Sequence, residues 1–392
     1  MQLLFFMDGL RFDLCYKDML FLSSMNVLPL ESEYGYSCAC HASMYTGKYI
    51  EDHNTWFVWK KGGKSPYKFI DYIPGLKYLN FIPIKMVLSR IARVLNKNTS
   101  YPGIPMLVNL PLKYWSLFEP CENVFWDDDK YMDGKPTLFK ILKEKGIRFT
   151  SVGLNRRGDV FNAAPKVDFT KNDVIYYFIG QVDGYMHRYG EYQEESHKFL
   201  KQVDDFIKEQ YEKAKRVTDD ITLIAWSDHG HIDVTGHINI NDYFKPEGLN
   251  VNKYIHLVES TFARFWFRNE KEKEEVTKVL KVLEEKKLGF IFTQDIYDRW
   301  HLNFNSNEHG DLIFYLNAPR TFTNTIWGFG HRYVSMHGYL PTEEKHIGIF
   351  ASNKEFKENI RLATLVDLMP TVVHNLGFNN EEYGFAGRNL LA

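Results

Sequence analysis

The chain is poor in cysteine: Cys15, Cys38, Cys40 and Cys121 are the only four in 392 residues. Four in so long a chain make no disulfide framework, and no Cys-x-x-Cys pair signals a zinc ribbon. A reducing, cytoplasmic compartment is the expectation. Charge of one sign is lacking too. The net charge is −2, with 48 Lys and Arg against 50 Asp and Glu. That excludes the strongly basic profile of a protein that binds nucleic-acid polymers. No window offers the roughly 18 uninterrupted apolar residues of a membrane span. The run Leu3-Leu4-Phe5-Phe6-Met7 passes straight into Asp8-Gly9, too short and wrongly flanked for a secretory signal. No repeat or low-complexity tract is visible. What remains is 44% hydrophobic, 25% charged and 16% aromatic, the profile of a globular protein with ample chain for a core.

Periodicity gives the fold class. Gln2 to Met7 reads as a fully buried strand, short, apolar and closed by Asp-Gly. Ile147 to Gly153, Val174 to Gly180, Ile221 to Trp226 and Ile347 to Ala351 read as strands, as do Thr261 to Arg268 and Asp311 to Leu316. Helices are predicted over Thr137 to Lys145, Glu191 to Lys215, Glu270 to Glu285 and Leu362 to Leu376. Strands alternating with helices imply an α/β fold, a largely parallel central sheet flanked by helices.

One stretch breaks this rhythm. Residues 60–126 are rich in aromatics, prolines and bases, with a net charge of +7 in a chain of −2. They are expected to form an inserted cap, with 1–59 and 127–392 as the main domain. A basic, aromatic cap suits an anionic substrate with a stackable or apolar part. Within it, Phe81 to Leu95 carries Lys85, Arg90 and Arg93 on an otherwise apolar run. A cap helix packed on the main domain is the preferred reading. The alternative is an interfacial amphipathic helix, placing the protein peripherally at a membrane or against a lipid-linked substrate. Asn98-Thr99-Ser100 is formally a glycosylation sequon, read as chance without a secretory signal.

In open α/β sheets, ligands bind at the carboxyl ends of the strands. The first strand ends in Asp8. The Val174 strand leads to Asp183, with His187 four residues on. The Ile221 strand ends in Asp228-His229, and His337 stands late in the chain before Gly338. Singly these are turns, an i, i+4 surface pair and a structural histidine. Together they are a metal site. Carboxylates and imidazoles suit zinc or manganese, and six of them exceed one tetrahedral ion. They suit two ions roughly 3.5–4 Å apart, clamping an in-line phosphoryl displacement. His231 and His237, close behind the Asp228-His229 pair, are expected as solvated loop histidines.

The segment Tyr36-Ser37-Cys38-Ala39-Cys40-His41-Ala42-Ser43 is small and polar, like a helix start carrying a nucleophile. Asp8-Gly9 with Arg11, a hydroxyl residue ten before Gly47, then Tyr49 and His53, resembles the type I phosphodiesterase/nucleotide pyrophosphatase family of the alkaline phosphatase superfamily. Asp183-x-x-x-His187 is similar to its Asp-x-x-Gly-His motif, with Met186 in place of glycine. Ser227-Asp228-His229-Gly230 and His337-Gly338-Tyr339 are similar to its remaining motifs.

The resemblance implies an alkaline phosphatase-like fold and a two-metal hydrolase of phosphate esters, most simply a phosphodiesterase or pyrophosphatase. It assigns Asp8, Asp228 and His229 to one divalent ion and Asp183, His187 and His337 to the other, zinc or manganese. Ser37 bridges the first ion and the substrate as nucleophile, through a covalent phospho-enzyme. A phosphotransferase or mutase on the same fold is the alternative. A sulfatase-like hydrolase is disfavoured, because the segment from Cys38 lacks the proline and the arginine of the sulfatase motif and that from Cys40 lacks the arginine. Both cysteines are expected instead as small buried thiols beneath the nucleophile. His53-Asn54-Thr55 departs from the family's His-Gly-Ile, and Val58 stands where a phosphoryl-binding asparagine is expected. Asn54 is the candidate substitute. Nucleotide specificity, rather than catalysis, is what this departure touches. The natural substrate and the oligomeric state are not legible.

Overall fold

The structure is a computed structural model that describes residues 1–96, 107, 109–122, 124–154, 159–327 and 332–392. Lys97 and the Asn98-Thr99-Ser100 sequon lie outside the described residues. Two compact units emerge. The first comprises Met1–His53, Val124–Asp233 and Val334–Ala392, the second Asn54–Asn123 and Val234–Tyr333. The second unit thus takes most of the basic, aromatic stretch together with residues 234–333.

The first unit is built on seven strands: β1 (Gln2–Phe6), β2 (Asn26–Glu31), β3 (Phe149–Val152), β4 (Val174–Phe178), β5 (Thr222–Trp226), β6 (Gly348–Ser352) and β7 (Ala363–Thr364). Their order is β7-β2-β6-β5-β1-β4-β3. β1 pairs in parallel with β4 and β5, β3 with β4, and β2 with β7. β6 alone runs antiparallel to its neighbours β2 and β5. The sheet is therefore mixed but largely parallel.

β1 shows why the sheet is central. Successive side chains on a strand point to opposite faces. Leu4 and Phe6 enter one core with Cys40, Met44 and Tyr45, while Leu3, Phe5 and Met7 enter another with Val203 and Phe206. Helix Ser37–Thr46 covers the first face and helix Glu194–Lys215 the second. Both faces are dry, so the strand reads as a continuous apolar run. Each Leu or Phe so buried contributes at most about 1.5–3 kcal/mol over exposure.

Register then fixes the rim. Phe6 is opposite Phe178 on one side and Trp226 on the other. Asp8 and Asp228 each lie two residues past that level, and Asp183 follows in the helix after β4. Three acids are brought to one edge of the sheet by pairing alone.

Some elements differ from expectation. The strands Phe262–Trp266 and Leu312–Leu316 exist, but lie with Ile255–Val258 and Gly289–Ile291 in a separate four-stranded antiparallel sheet of the second unit. Their side chains are nearly all buried, and an apolar run buried on both sides reads alike whichever sheet it joins. The helix predicted from Leu362 begins at Leu368. Thr364 and Asp367 form a capping box on the preceding 3-10 turn Leu365–Asp367, and Ala363–Thr364 pairs with β2 instead.

Helix Ile82–Leu95 belongs to the second unit. Lys85, expected among the bases offered to substrate, points inward. It is 5% exposed, its Nζ donates to the Leu110 carbonyl at 2.9 Å, and burial pushes its ammonium down to about 8.

Candidate functional site

Ser37 is the first residue of helix Ser37–Thr46, after Tyr36 in extended conformation. The helix closes on Gly47 at φ +64°, a left-handed conformation that glycine adopts freely. A helix start is the positive end of the macrodipole, so an anion at Ser37 is favoured. Ser37 Oγ lies 3.0 Å from His229 Nε2.

Asp8 follows β1 in a turn that only Gly9 accommodates. Gly9 has φ +76°, and a Cβ there would stand 2.8 Å from His231 Nε2. The Gly9 and His229 N–H groups each donate to Asp228 Oδ1 at 3.1 Å. His229 Nε2 lies 3.3 Å from Asp228 Oδ2 and 3.7 Å from Asp8 Oδ1. Asp8, Asp228 and His229 thus form one donor group.

Asp183 and His187 sit one turn apart on helix Gln181–Tyr189. Three imidazole nitrogens converge on Asp183 Oδ1: His231 Nε2 at 2.9 Å, His187 Nε2 at 3.1 Å and His337 Nε2 at 3.7 Å. Asp183, His187 and His231 form a second group, and Asp183, His229 and His337 a third. The rings of His229 and His337 stack at 3.9 Å. All the ligand positions expected from sequence are therefore brought together. His231 joins His187, and His337 stands between Asp183 and His229.

Electrostatics indicate what these groups are for. His187 Nδ1 lies 2.8 Å from the Ser335 carbonyl and His229 Nδ1 lies 3.1 Å from that of Gly230. A carbonyl only accepts, so each Nδ1 carries the proton and each Nε2 turns a lone pair toward carboxylates. Among the described residues, Asp228 Oδ2 and His337 Nδ1 are buried with no hydrogen-bond partner. Lone pairs facing carboxylate oxygens in a buried site call for cations between them. The donor set, imidazole nitrogen with carboxylate oxygen, fits divalent zinc or manganese.

His231 was expected in solvent and is fully buried. The signal lay in Asp228-His229-Gly230-His231: residues two apart on extended backbone point to the same side. His346 is likewise buried, accepting from the Gly338 N–H at 3.1 Å, and its ring lies parallel to that of His229. No motif marked it. His237, by contrast, is half-buried in the second unit, 3.1 Å from Thr321 Oγ1. Arg11, beside the site motif, is buried and paired with Asp13 and Glu191.

Cys38 and Cys40 are both buried. The Cys40 thiol lies 3.4 Å from Ser32 Oγ, and burial raises its pKa well above the ordinary value. Asn54, in the second unit, uses its amide within that unit: Nδ2 donates to Glu308 at 2.8 Å, and Oδ1 lies 2.9 Å from His309 Nε2.

The sheet carries clustered Asp and His donors at its carboxyl edge with a serine at the start of a covering helix, an arrangement that suits metal-assisted phosphoryl transfer. The sequence profile of the family described as type I phosphodiesterase / nucleotide pyrophosphatase matches residues 120–340. The chain belongs to that family. No curated protein matches it by sequence. Solved structures do match by fold. Human ectonucleotide pyrophosphatase / phosphodiesterase 5 has a TM-score of 0.63 at 16% identity, over 96% of this chain and 95% of that one. The murine protein has a TM-score of 0.64 at 14% identity, over 99% and 96%. An inactive murine variant in complex with AMP has a TM-score of 0.61 at 14% identity, over 99% and 96%.

Proposed function

We propose that this member of a phosphate-ester hydrolase family is a two-metal phosphodiesterase or pyrophosphatase whose nucleophile is Ser37. One observation carries the reading: Ser37 Oγ stands 3.0 Å from Nε2 of His229, a residue shared by two of the three overlapping Asp/His donor groups. Asp8, Asp228 and His229 would hold one ion. Asp183 with His187 and His337 would hold the other, and His231 would brace Asp183. The histidine content favours zinc over manganese.

Bound divalent ions supply charge neutralisation on the phosphoryl oxygens and lower the pKa of coordinated hydroxyls. The chain's own residues do the rest. The Ser335 and Gly230 carbonyls fix the tautomers of His187 and His229. Gly9 and the His229 N–H orient Asp228. Ser37 Oγ, held at a helix start, attacks phosphorus in line. The P–Oγ bond forms as the P–O bond to the leaving group breaks, the seryl proton passing to solvent and the leaving group departing with the electron pair; water then cleaves the P–Oγ bond, returning the Ser37 hydroxyl and releasing the phosphoryl product. The positive end of the helix dipole at Ser37 favours the negative charge of the phosphoryl oxygens. The AMP complex of a murine structure of the same fold supports a nucleotide-type phosphate ester as substrate. Four free cysteines, three of them buried, support a reducing, cytoplasmic setting.

The test is a hydrolysis screen over aryl phosphate monoesters, phosphodiesters, dinucleotide pyrophosphates and sulfate esters, with zinc, manganese or chelator. Metal-dependent cleavage of diesters or pyrophosphates is expected. Preferential transfer to added alcohol would make the protein a phosphotransferase instead. Cleavage of sulfate esters alone would overturn the reading.

A further inference from the structure

Helix Ile82–Leu95 is inverted in polarity. Its inward residues are Lys85, Leu88, Ser89 and Ala92. Its outward side carries Ile82, Met86, Val87, Ile91, Val94 and Leu95, with Val87 53%, Val94 61% and Leu95 63% exposed. A helix that merely packed on its neighbours would show the reverse arrangement. This is not scattered surface hydrophobicity. Eleven of the seventeen large apolar side chains that are exposed among the described residues fall between Tyr72 and Leu95. A concentrated apolar patch marks an interaction surface.

Charge selects the occupant. Tyr72 to Leu95 contains no acidic residue. Lys77, Arg90 and Arg93 are exposed there. At 100° per residue, Arg90 and Arg93 share the outward arc with Ile82, Met86 and Val94. A second copy seated on this face by two-fold symmetry would set these bases against their own equivalents. Like charges meeting across an interface are unfavourable. An anionic surface that also accepts apolar side chains has no such conflict. Tyr72 and Tyr78, both strongly exposed, are amphipathic rings of the kind that settle at headgroup level. No described helix is long and apolar enough to cross a membrane. The geometry points to Ile82–Leu95 as an in-plane anchor that docks the second unit on an anionic lipid bilayer, its apolar side chains below the headgroups and Arg90 and Arg93 among the phosphates.

The experiment is co-sedimentation of the full chain with vesicles of phosphatidylcholine alone and of phosphatidylcholine with phosphatidylglycerol. Wild type is expected to pellet with the anionic vesicles and to be released as salt rises from about 0.1 M to about 1 M, where the screening length falls from roughly 10 to 3 Å. Arg90→Gln with Arg93→Gln is expected to weaken partitioning about twenty-five-fold, roughly fivefold per arginine. Val87→Asp with Ile91→Asp is expected to abolish it. All four side chains are exposed, so circular dichroism and hydrolysis of a small aryl phosphodiester are expected to stay at wild-type levels. Wild type remaining in the supernatant with anionic vesicles overturns the proposal, as does equal partitioning of the Val87→Asp/Ile91→Asp variant. A dimer in sedimentation velocity that this variant dissociates also overturns it, and gives the face to a second copy.

Discussion

Nε2 of His231 lies 2.9 Å from Oδ1 of Asp183, the same carboxylate oxygen that His187 approaches at 3.1 Å. His231 is wholly buried, and its pKa is pushed down to about 3, chiefly by burial. It is a neutral imidazole that fixes where one carboxylate oxygen points. Groups that orient metal ligands are worth about 10–100-fold in metal affinity. His231→Ala is therefore expected to weaken divalent-ion binding by that factor in a chelator titration. His231→Gln, which can still donate to Asp183, is expected to recover part of it. Unchanged affinity in His231→Ala would make the residue a packing histidine only.

The role proposed for Ser37 can be separated from that of its neighbours. Ser37→Ala is expected to lower kcat by about 10³-fold or more, as loss of a covalent nucleophile does, with an unaltered thermal melt. Cys38→Ala is expected to retain most activity. Single-turnover measurement on an activated aryl phosphodiester, read with a trap for phosphoserine, distinguishes the two. An essential Cys38 beside a dispensable Ser37 would bring back the sulfatase-like alternative.

The site was legible because it is local. Asp8, Asp183, Asp228 and the adjoining histidines announce themselves as polar interruptions at the ends of apolar strands, and parallel register carries them to one edge. His231 was misread because a loop histidine shows no period, and its burial comes from Gly9 and Asp183, distant in sequence. The antiparallel sheet of the second unit was hidden for a different reason. Phe262–Trp266 is as apolar as β1, and the pairing partner of a dry strand is not written in its own residues. Which face of Ile82–Leu95 lies outward was not legible either. Periodicity establishes that a helix is amphipathic, but not which side meets the protein.

A buried ion pair anchors the second unit. Arg264 and Glu259 are both fully buried. Nε donates to Glu259 Oε2 at 3.0 Å and Nη2 to Oε1 at 3.2 Å. The Trp59 and His309 carbonyls take further donors, and the guanidinium lies 3.8 Å from the centroid of the Phe57 ring. Removing one partner strands the other charge, so Glu259→Ala is expected to cost about 3–5 kcal/mol in urea unfolding. Replacing both, as Glu259→Leu with Arg264→Met, is expected to cost clearly less than the sum of the single changes. Strict additivity would mean that the two charges do not depend on each other.

Acid stability tests the network beside the metal groups. Glu191 is buried between Arg11 and Lys345, which it pairs on its two oxygens, and its N–H donates to Asp233 Oδ1 at 3.1 Å. Burial pushes its carboxyl up, but Lys345, Tyr192 and Arg11 outweigh this and bring it from 4.5 down to about 2. The sign follows from linkage. A carboxyl with a lower pKa folded than unfolded binds fewer protons in the native state. Its contribution is complete above the unfolded value of 4.5 and is lost as pH falls toward about 2. With solvent screening of Lys345, which is 44% exposed, the contribution is about 1–2 kcal/mol. Glu191→Gln is therefore expected to be less stable than wild type by that amount at pH 6 to 7. The two stability curves are expected to converge between about pH 4.5 and 2, because wild type alone loses the pairing there. The measurement is urea unfolding by tryptophan fluorescence across that range, with zinc omitted so that metal release does not overlay the titration. A constant offset between the two proteins down to the acid limit would show that Glu191 acts through packing rather than through its charge.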